Sequence, residues 1–174
     1  ILLVAVPNET IQQYQEIARL SGLELLALEA EVFGLARTTI KDEEKEVLAL
    51  IDIGARSTTI SIIDSGTVKL SHSFDISGND FTNLIAKGLN LGYQASEELK
   101  RKWGILPSKE NTGQLLLPLT DLIINEVKKI FQNFYQAEGR SPQRIILAGG
   151  SALLPGLSNY FSENLGKPVE LVNP

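Results

Sequence analysis

Leu50-Ile51-Asp52-Ile53-Gly54-Ala55-Arg56-Ser57-Thr58-Thr59-Ile60-Ser61-Ile62 runs from an apolar strand, through an aspartate, a glycine and a set of hydroxyls, into a second strand. Backbone N–H groups in such a turn can point at the anionic oxygens of a triphosphate. Gly54, Ser57, Thr58 and Thr59 are the candidate phosphate-side residues. Asp52, at the strand tip, can hold Mg²⁺ through water, because this ion keeps several waters and takes only one or two protein carboxylates. A strand–turn–strand with one glycine is equally a plain hairpin, so the stretch needs company before it means nucleotide.

Three other segments offer that company. Gly149-Gly150-Ser151 stands between a buried strand and a helix start, where glycines let a ligand lie against backbone and the helix N-terminus favours negative charge. It is neither the G-x-G-x-x-G fingerprint nor a Walker A loop. Glu97 and Lys100 are one helical turn apart and share a face, so they can bracket a ribose and a base, or simply pair with each other. Glu29 and Glu31 flank a strand-to-helix junction, where one carboxylate can orient water or Mg²⁺, or merely complement the helix dipole. Either glutamate fits that role.

Elements that would position these groups follow from periodicity. Residues 1–6 form a continuous apolar run, the pattern of a strand covered on both faces. Thr10 with Gln13 makes a capping box for a helix that buries Ile11, Tyr14, Ile17 and Ala18 and stops at Gly22. A second strand over 23–28 and a helix over 31–38 complete a β-α-β-α unit, which favours a parallel sheet. The charge run at 41–46 reads as a solvated connection. Three strands follow at 47–53, 58–64 and 68–74, with Val68, Leu70, His72 and Phe74 on one face. That places His72 on the apolar side as a structural histidine.

Helices then bury Phe81, Leu84, Ile85 and Leu89, and present Leu99 and Trp103. A polar loop covers 104–113. A long helix over 115–136 carries the stripe Leu116, Leu119, Ile123, Val127, Ile130 and Phe134, with Pro118 in its first turn. A buried strand at 144–148, the Gly-Gly-Ser turn opening a helix, a further helix through Tyr160 and Phe161, and a strand at 168–172 finish the pattern.

Composition narrows the function classes. The 174 residues carry 43% hydrophobic and 21% charged side chains and a net charge of −5, an ordinary globular balance that disfavours nucleic acid. Zero cysteines rule out disulfides and thiolate metal sites, and one histidine makes a His-based metal cluster or serine–histidine triad improbable. No run is long enough to span a bilayer and no signal peptide is visible, which points to the cytoplasm. Beginning mid-strand on Ile1 and ending on Pro174 after a strand, the chain reads as a piece of a longer protein.

The order of these segments resembles the actin-like ATPase superfamily, and within it the type IV pilus assembly protein PilM family, with the division protein FtsA more distant. The likeness is strongest in Leu28-Glu29-Ala30-Glu31-Val32-Phe33-Gly34-Leu35-Ala36-Arg37, Asp52-Ile53-Gly54, Ser77-Gly78-Asn79-Asp80-Phe81-Thr82, Ser96-Glu97-Glu98-Leu99-Lys100 and the stretch from Leu147 to Leu157. It implies an α/β fold of actin-like (ribonuclease H-like) lobes, each a mixed sheet flanked by helices. Residues 1–46 would be the C-terminal part of the first lobe and 47–174 the second.

It further implies ATP and Mg²⁺, with the Asp52 hairpin at the β/γ-phosphates and metal, Gly149 and Gly150 against the adenosine, and the Glu97/Lys100 helix along ribose and adenine. Glu31 would lie near the metal and the attacking water. The partner it implies is the cytoplasmic tail of a PilN-like inner-membrane protein, among other pilus platform proteins, with self-association left open. The location would be peripheral at the inner membrane. An FtsA-like division filament protein and a turning-over ATPase or sugar-kinase relative are the competing readings, although no catalytic aspartate base of a sugar kinase is identifiable.

Several family features depart or are lacking in these residues: the opposing Asp-Gly hairpin, the inserted subdomain near the PilN groove and the closing C-terminal helix. Arg56 and Ser77 stand where relatives usually carry a small residue and a glycine. Since phosphoryl transfer depends on charge neutralisation from several sides, residues 1–174 alone are expected to bind ATP weakly and to lack useful ATPase activity.

Overall fold

The computed structural model describes residues 5–40 and 45–172. Its centre is a five-stranded mixed sheet built from β1 (Val47–Ile53), β2 (Thr58–Asp64), β3 (Thr67–Phe74), β4 (Arg144–Ala148) and β5 (Val169–Leu171), in spatial order β3-β2-β1-β4-β5. β1 pairs antiparallel with β2 through the short 54–57 turn and parallel with β4. Parallel pairing requires a long crossover. It is supplied by α3 (Gly78–Leu89), α4 (Tyr93–Trp103) and α5 (Thr112–Glu138).

Strand alternation decides which residue meets which layer. Val47, Ala49, Ile51 and Ile53 of β1, with Ile60, Ile62, Ile145 and Leu147, face the main core under α3, α5 and α6 (Leu157–Leu165), where Phe81 and Phe161 are fully buried. Leu48, Leu50, Ile63, Ile146 and Ala148 face the opposite side and pack with Ala36 of α2 (Glu31–Thr39). A near-continuous apolar β1 is therefore covered on both faces. Asp52 shares the α2 side with Leu48 and Leu50.

The predicted strands of the sheet and the long helix match the structure closely, with differences that have physical causes. A register shift between Ile62 and Ile63 pairs them with Leu70 and Val68, leaving Lys69 as the extra residue of a bulge. The bulge turns Val68 to the α2 side while Leu70 and Phe74 stay on the main core, so the four residues expected on one face are split. His72 is exposed on this edge strand and lies 6.3 Å from the Phe74 ring. It is not the core histidine that alternation suggested.

The long helix begins at Thr112 rather than residue 115, because Gly113 nestles against the carbonyls of Ile105 and Leu106. Pro118 consequently sits in the second turn, on an exposed position, instead of the first. The Gly-Gly-Ser turn opens a short 3-10 segment, Gly150–Leu153, not an α-helix.

The N-terminal expectations fare differently. Residues 1–4 of the first expected strand and 41–44 of the charge run lie outside the described residues; Ala5 and Val6 are exposed coil. α1 (Asn8–Leu20) forms, but Pro7 is its N-cap and no side chain caps it, so the Thr10/Gln13 box is absent. It buries no residue: Tyr14 is 56% and Ile17 58% exposed, and Ile11 and Ala18 are half-buried. The segment 23–28 is coil, with Leu26 87% exposed, so the β-α-β-α unit does not form among the described residues. Apolar periodicity there marks a face that nothing in the described structure covers.

Candidate functional site

The turn leaving β1 closes with the Gly54 N–H donating to the Ser57 carbonyl at 3.0 Å. The same turn is bound to the start of α3, where the Gly78 and Asn79 N–H groups donate to the carbonyls of Gly54 (2.8 Å) and Ala55 (3.1 Å). A side chain at Gly78 would be crowded here. A β-carbon on it would lie 3.2 Å from the Gly54 carbonyl and inside contact distance of Ser151 Oγ. Three expected segments thus meet at one backbone position.

The hydroxyls of the hairpin serve different ends. Thr58 is fully buried and donates to the Ile76 carbonyl at 2.5 Å, bracing the hairpin against the β3–α3 junction. Ser57 is half-buried in the turn itself. Thr59, paired in register with Asp52, lies 2.7 Å from Ser73 Oγ across the strand pair.

Asp52 points to the α2 side and abuts Gly149. Gly149 has φ +83° and ψ 161°, a region open essentially to glycine. A β-carbon there would collide with Asp52 Oδ1 and would lie 2.5 Å from the Ile53 carbonyl oxygen. Burial, and secondarily the charge of Glu31, push the Asp52 carboxyl above its ordinary value. Glu31 opens α2 and, with Asp52, Thr59 and Ser61, lines a pocket of about 30 Å³, room for a water molecule. Glu29 is committed elsewhere: its carboxylate accepts from both terminal nitrogens of Arg37, one of them at 2.9 Å, which holds its pKa down. Of the two glutamates, Glu31 is the one beside Asp52.

On the other side of Gly149 an open cleft of about 780 Å³ runs between the hairpin, α3, α4 and the Gly150 turn. Ala55, Gly78, Asn79, Gly150, Ser151, Leu153 and Leu154 line one side, and Tyr93, Gln94, Glu97, Lys100 and Arg101 the other. A β-carbon on Gly150 would meet nothing within 4 Å, so its backbone is open to a ligand. Tyr93 donates to Asn79 Oδ1 at 2.9 Å.

Lys100 and Glu97 form a nearly buried pair at 2.7 Å. Lys100 is 6% exposed and also donates to the Gly78 carbonyl (2.9 Å) and Thr82 Oγ1 (2.8 Å). Burial by itself raises the Glu97 pKa, but hydrogen bonds from Lys100, Thr82 and Arg101 outweigh it and bring it down to about 2.

The expected residues therefore fall into two adjoining spaces. Glu97, Lys100, Gly150 and Ser151 line the cleft, while Glu31, Asp52 and Thr59 line the smaller pocket, with Gly149 between them. Gly54 meets the cleft through Ala55; Thr58 and Glu29 reach neither space. Asn79, Tyr93, Gln94 and Arg101 were not anticipated. Positions 93, 94, 97, 100 and 101 recur at helical spacing, so the α4 face was readable from Glu97 outward. Among the described residues no cluster of His, Asp or Glu is able to hold a metal on its own, and no helix is long and apolar enough to cross a membrane.

Comparison with known proteins places this geometry. The family model of the type IV pilus assembly protein PilM matches residues 1–174. A chain of the PilM–PilN type IV pilus biogenesis complex superposes with a TM-score of 0.81 at 30% identity, over 96% of this chain and 48% of that one. MreB5 of Spiroplasma citri bound to AMPPNP gives a TM-score of 0.77 at 22% identity, over 97% of this chain and 61% of that one. In sequence, cell division protein FtsA of Pseudomonas aeruginosa is 26% identical over 94% of this chain and 45% of its own length. The fold is that of the actin-like ATPases. The chain spans about half the length of the curated relatives it matches.

Proposed function

Because the chain belongs to the type IV pilus assembly protein PilM family, we propose that it works as a nucleotide-binding scaffold of the pilus assembly complex at the inner membrane. Its partner in this reading is the cytoplasmic tail of a PilN-like membrane protein. The observation that carries the proposal is the family match along the whole chain, supported by the 0.81 superposition on a chain from a PilM–PilN complex.

The cleft suits a nucleotide by the chemistry of its lining. Gly150 leaves backbone open, Gly149 and Gly78 permit the close approach of three segments, and α4 offers a face of polar and cationic groups. In this reading the 54–57 turn, with Ser57 and Thr59 near it, takes the phosphate side. Asp52 and Glu31 hold Mg²⁺ through water, and Gly149, Gly150 and Ser151 lie along the adenosine. Glu97 and Lys100 belong to the ribose and base side. Bound Mg²⁺–ATP supplies a concentrated negative charge that the turn N–H groups meet.

Residues 47–174 then form one lobe and residues 1–46 the end of the other, so phosphate contacts from the opposite side have to come from elsewhere in the protein. Turnover is weak at most, and nucleotide serves the scaffold rather than a metabolic reaction. The FtsA relatives support a second reading, a division filament protein.

Titrating the full-length protein with a peptide of the PilN-like cytoplasmic tail, with and without Mg²⁺–ATP, tests the proposal. Saturable binding in at least one state is expected. Binding in neither state, combined with assembly into filaments on adding ATP, sinks the pilus reading in favour of the second.

A further inference from the structure

β3 is the end strand of the sheet, and among the described residues no strand pairs with its outer edge. Register fixes which backbone groups that edge offers. Along an antiparallel strand, successive residues bond alternately to one side and to the other. The Gly54 N–H bonds the Ser57 carbonyl, so Thr59 and Ser61 bond toward β1. Thr58, Ile60 and Ile62 then bond toward their β3 partners Phe74, His72 and Leu70. The N–H and C=O groups of Ser71 and Ser73 are left pointing outward. Before them the bulge at Lys69 breaks the regular strand, which confines any new pairing to about residues 70–74.

The residues of this edge are self-complementary about His72. Ser71 balances Ser73, Leu70 balances Phe74, and Lys69 balances Asp75. We propose that the β3 edge pairs with the β3 edge of a second copy of this chain, antiparallel, with the two-fold axis at His72. Such a contact is isologous. Ser71 of each copy exchanges both backbone hydrogen bonds with Ser73 of the other, and Leu70 lies beside Phe74. Lys69 and Asp75, both exposed, come opposite each other twice. Charge selects the occupant: an unrelated strand leaves Lys69 unmatched, the usual protection of an open edge, whereas a second copy supplies the acid. The hydroxyls of Ser71 and Ser73 already meet Ser61 and Thr59 at 3.0 and 2.7 Å, and the pairing carries those hydroxyl rows across the junction. None of residues 68–76 lines the cleft or the smaller pocket, so the pairing does not depend on the nucleotide reading.

The chain has no cysteine, so cysteine variants of the full-length protein report the geometry. In this register the two residues on the axis do not bond each other and their Cα atoms lie about 4.5 Å apart, within reach of a disulfide. His72→Cys is expected to give a disulfide-linked dimer under mild oxidation, and Lys109→Cys, at an exposed loop position, to remain unlinked. Lys69→Glu and Asp75→Lys each set like charges at both contacts. Sedimentation velocity is expected to show self-association of either variant weakened by about tenfold. An equimolar mixture of the two is expected to regain it, because both contacts then join opposite charges.

In the unaltered full-length protein, deuterium exchange at the Ser71 and Ser73 amides is expected to slow as protein concentration rises. Equal linking of the two cysteine variants overturns the proposal, as does a monomer at every concentration or a mixture that associates no better than its components. Slowing of the Ser71 and Ser73 amides by a peptide of the PilN-like tail, with no dependence on protein concentration, overturns it too and gives the edge to that peptide.

Discussion

Gly149 lies so close to Asp52 that no side chain fits between them, and its φ of +83° is one that only glycine adopts readily. Gly149→Ala therefore combines backbone strain with a collision against a half-buried carboxylate. The expected cost is about 2 kcal/mol, a fall in Tm of roughly 4–8 °C for a chain of this size. Thermal unfolding followed by circular dichroism measures it. Gly150→Ala, whose β-carbon meets nothing within 4 Å, is expected to leave Tm nearly unchanged, and an equal fall in both would refute the packing argument.

Thr58 looks like a phosphate ligand in the sequence and behaves as a brace in the structure. Thr58→Val keeps the shape and removes the hydroxyl that satisfies the Ile76 carbonyl. Leaving that carbonyl without its donor is expected to cost about 1–3 kcal/mol in denaturant unfolding. Affinity for Mg²⁺–ATP in the variant should change little; a large selective loss of affinity with normal stability would return Thr58 to the ligand set.

Glu97 sets an acid limit on the α3–α4 junction. Its folded pKa, about 2, lies below the ordinary 4.5, so the folded state binds the proton less readily than the unfolded chain. A depressed acid contributes its full stability above pH 4.5 and loses it as pH falls from there toward 2. Comparing unfolding free energies of wild type and Glu97→Gln across that window isolates the effect: the gap between them is expected to shrink as pH drops. A gap that stays constant or widens would contradict the assignment.

Asp52 feels Glu31, and Glu29 is held by Arg37. Glu31→Gln is expected to lower the Asp52 pKa while leaving it above the ordinary aspartate value, since burial is the larger cause. Glu29→Gln is expected to leave Asp52 unmoved. Carbon-detected NMR titration of the carboxyl groups reads both. An equal response to the two substitutions would remove Glu31 from the pocket.

How much was legible in the residues depends on what each element leans on. β1 and β2 were readable to the residue because both faces of β1 are apolar and the hairpin is local. The bulge at Lys69 was not, since alternation assumes an unbroken register, and it cost the facing of Val68; His72 keeps its face but lies exposed on the edge strand. Periodicity around Tyr14, Ile17 and Leu26 pointed to burial that the structure does not show, because a strand or buried helix face also needs a partner surface, and none lies among the described residues. Residue type singled out Asp52, Glu97, Lys100 and the two glycines, which the structure brings to the two adjoining spaces. It could not tell that Thr58 turns inward or that Lys100 spends its donors on Gly78, because those outcomes depend on elements 18 and 22 residues away.

β1 and β4 are parallel neighbours, with Ile51 opposite Leu147 and Asp52 opposite Ala148. Both strands therefore end side by side, one delivering the 54–57 turn and the other Gly149-Gly150. The two halves of the cleft floor cannot drift apart unless the centre of the sheet unzips, an event close to global unfolding. The strand ends thus form the stiffest part of the cleft, and any change in its width falls to the α3 and α4 walls that face them.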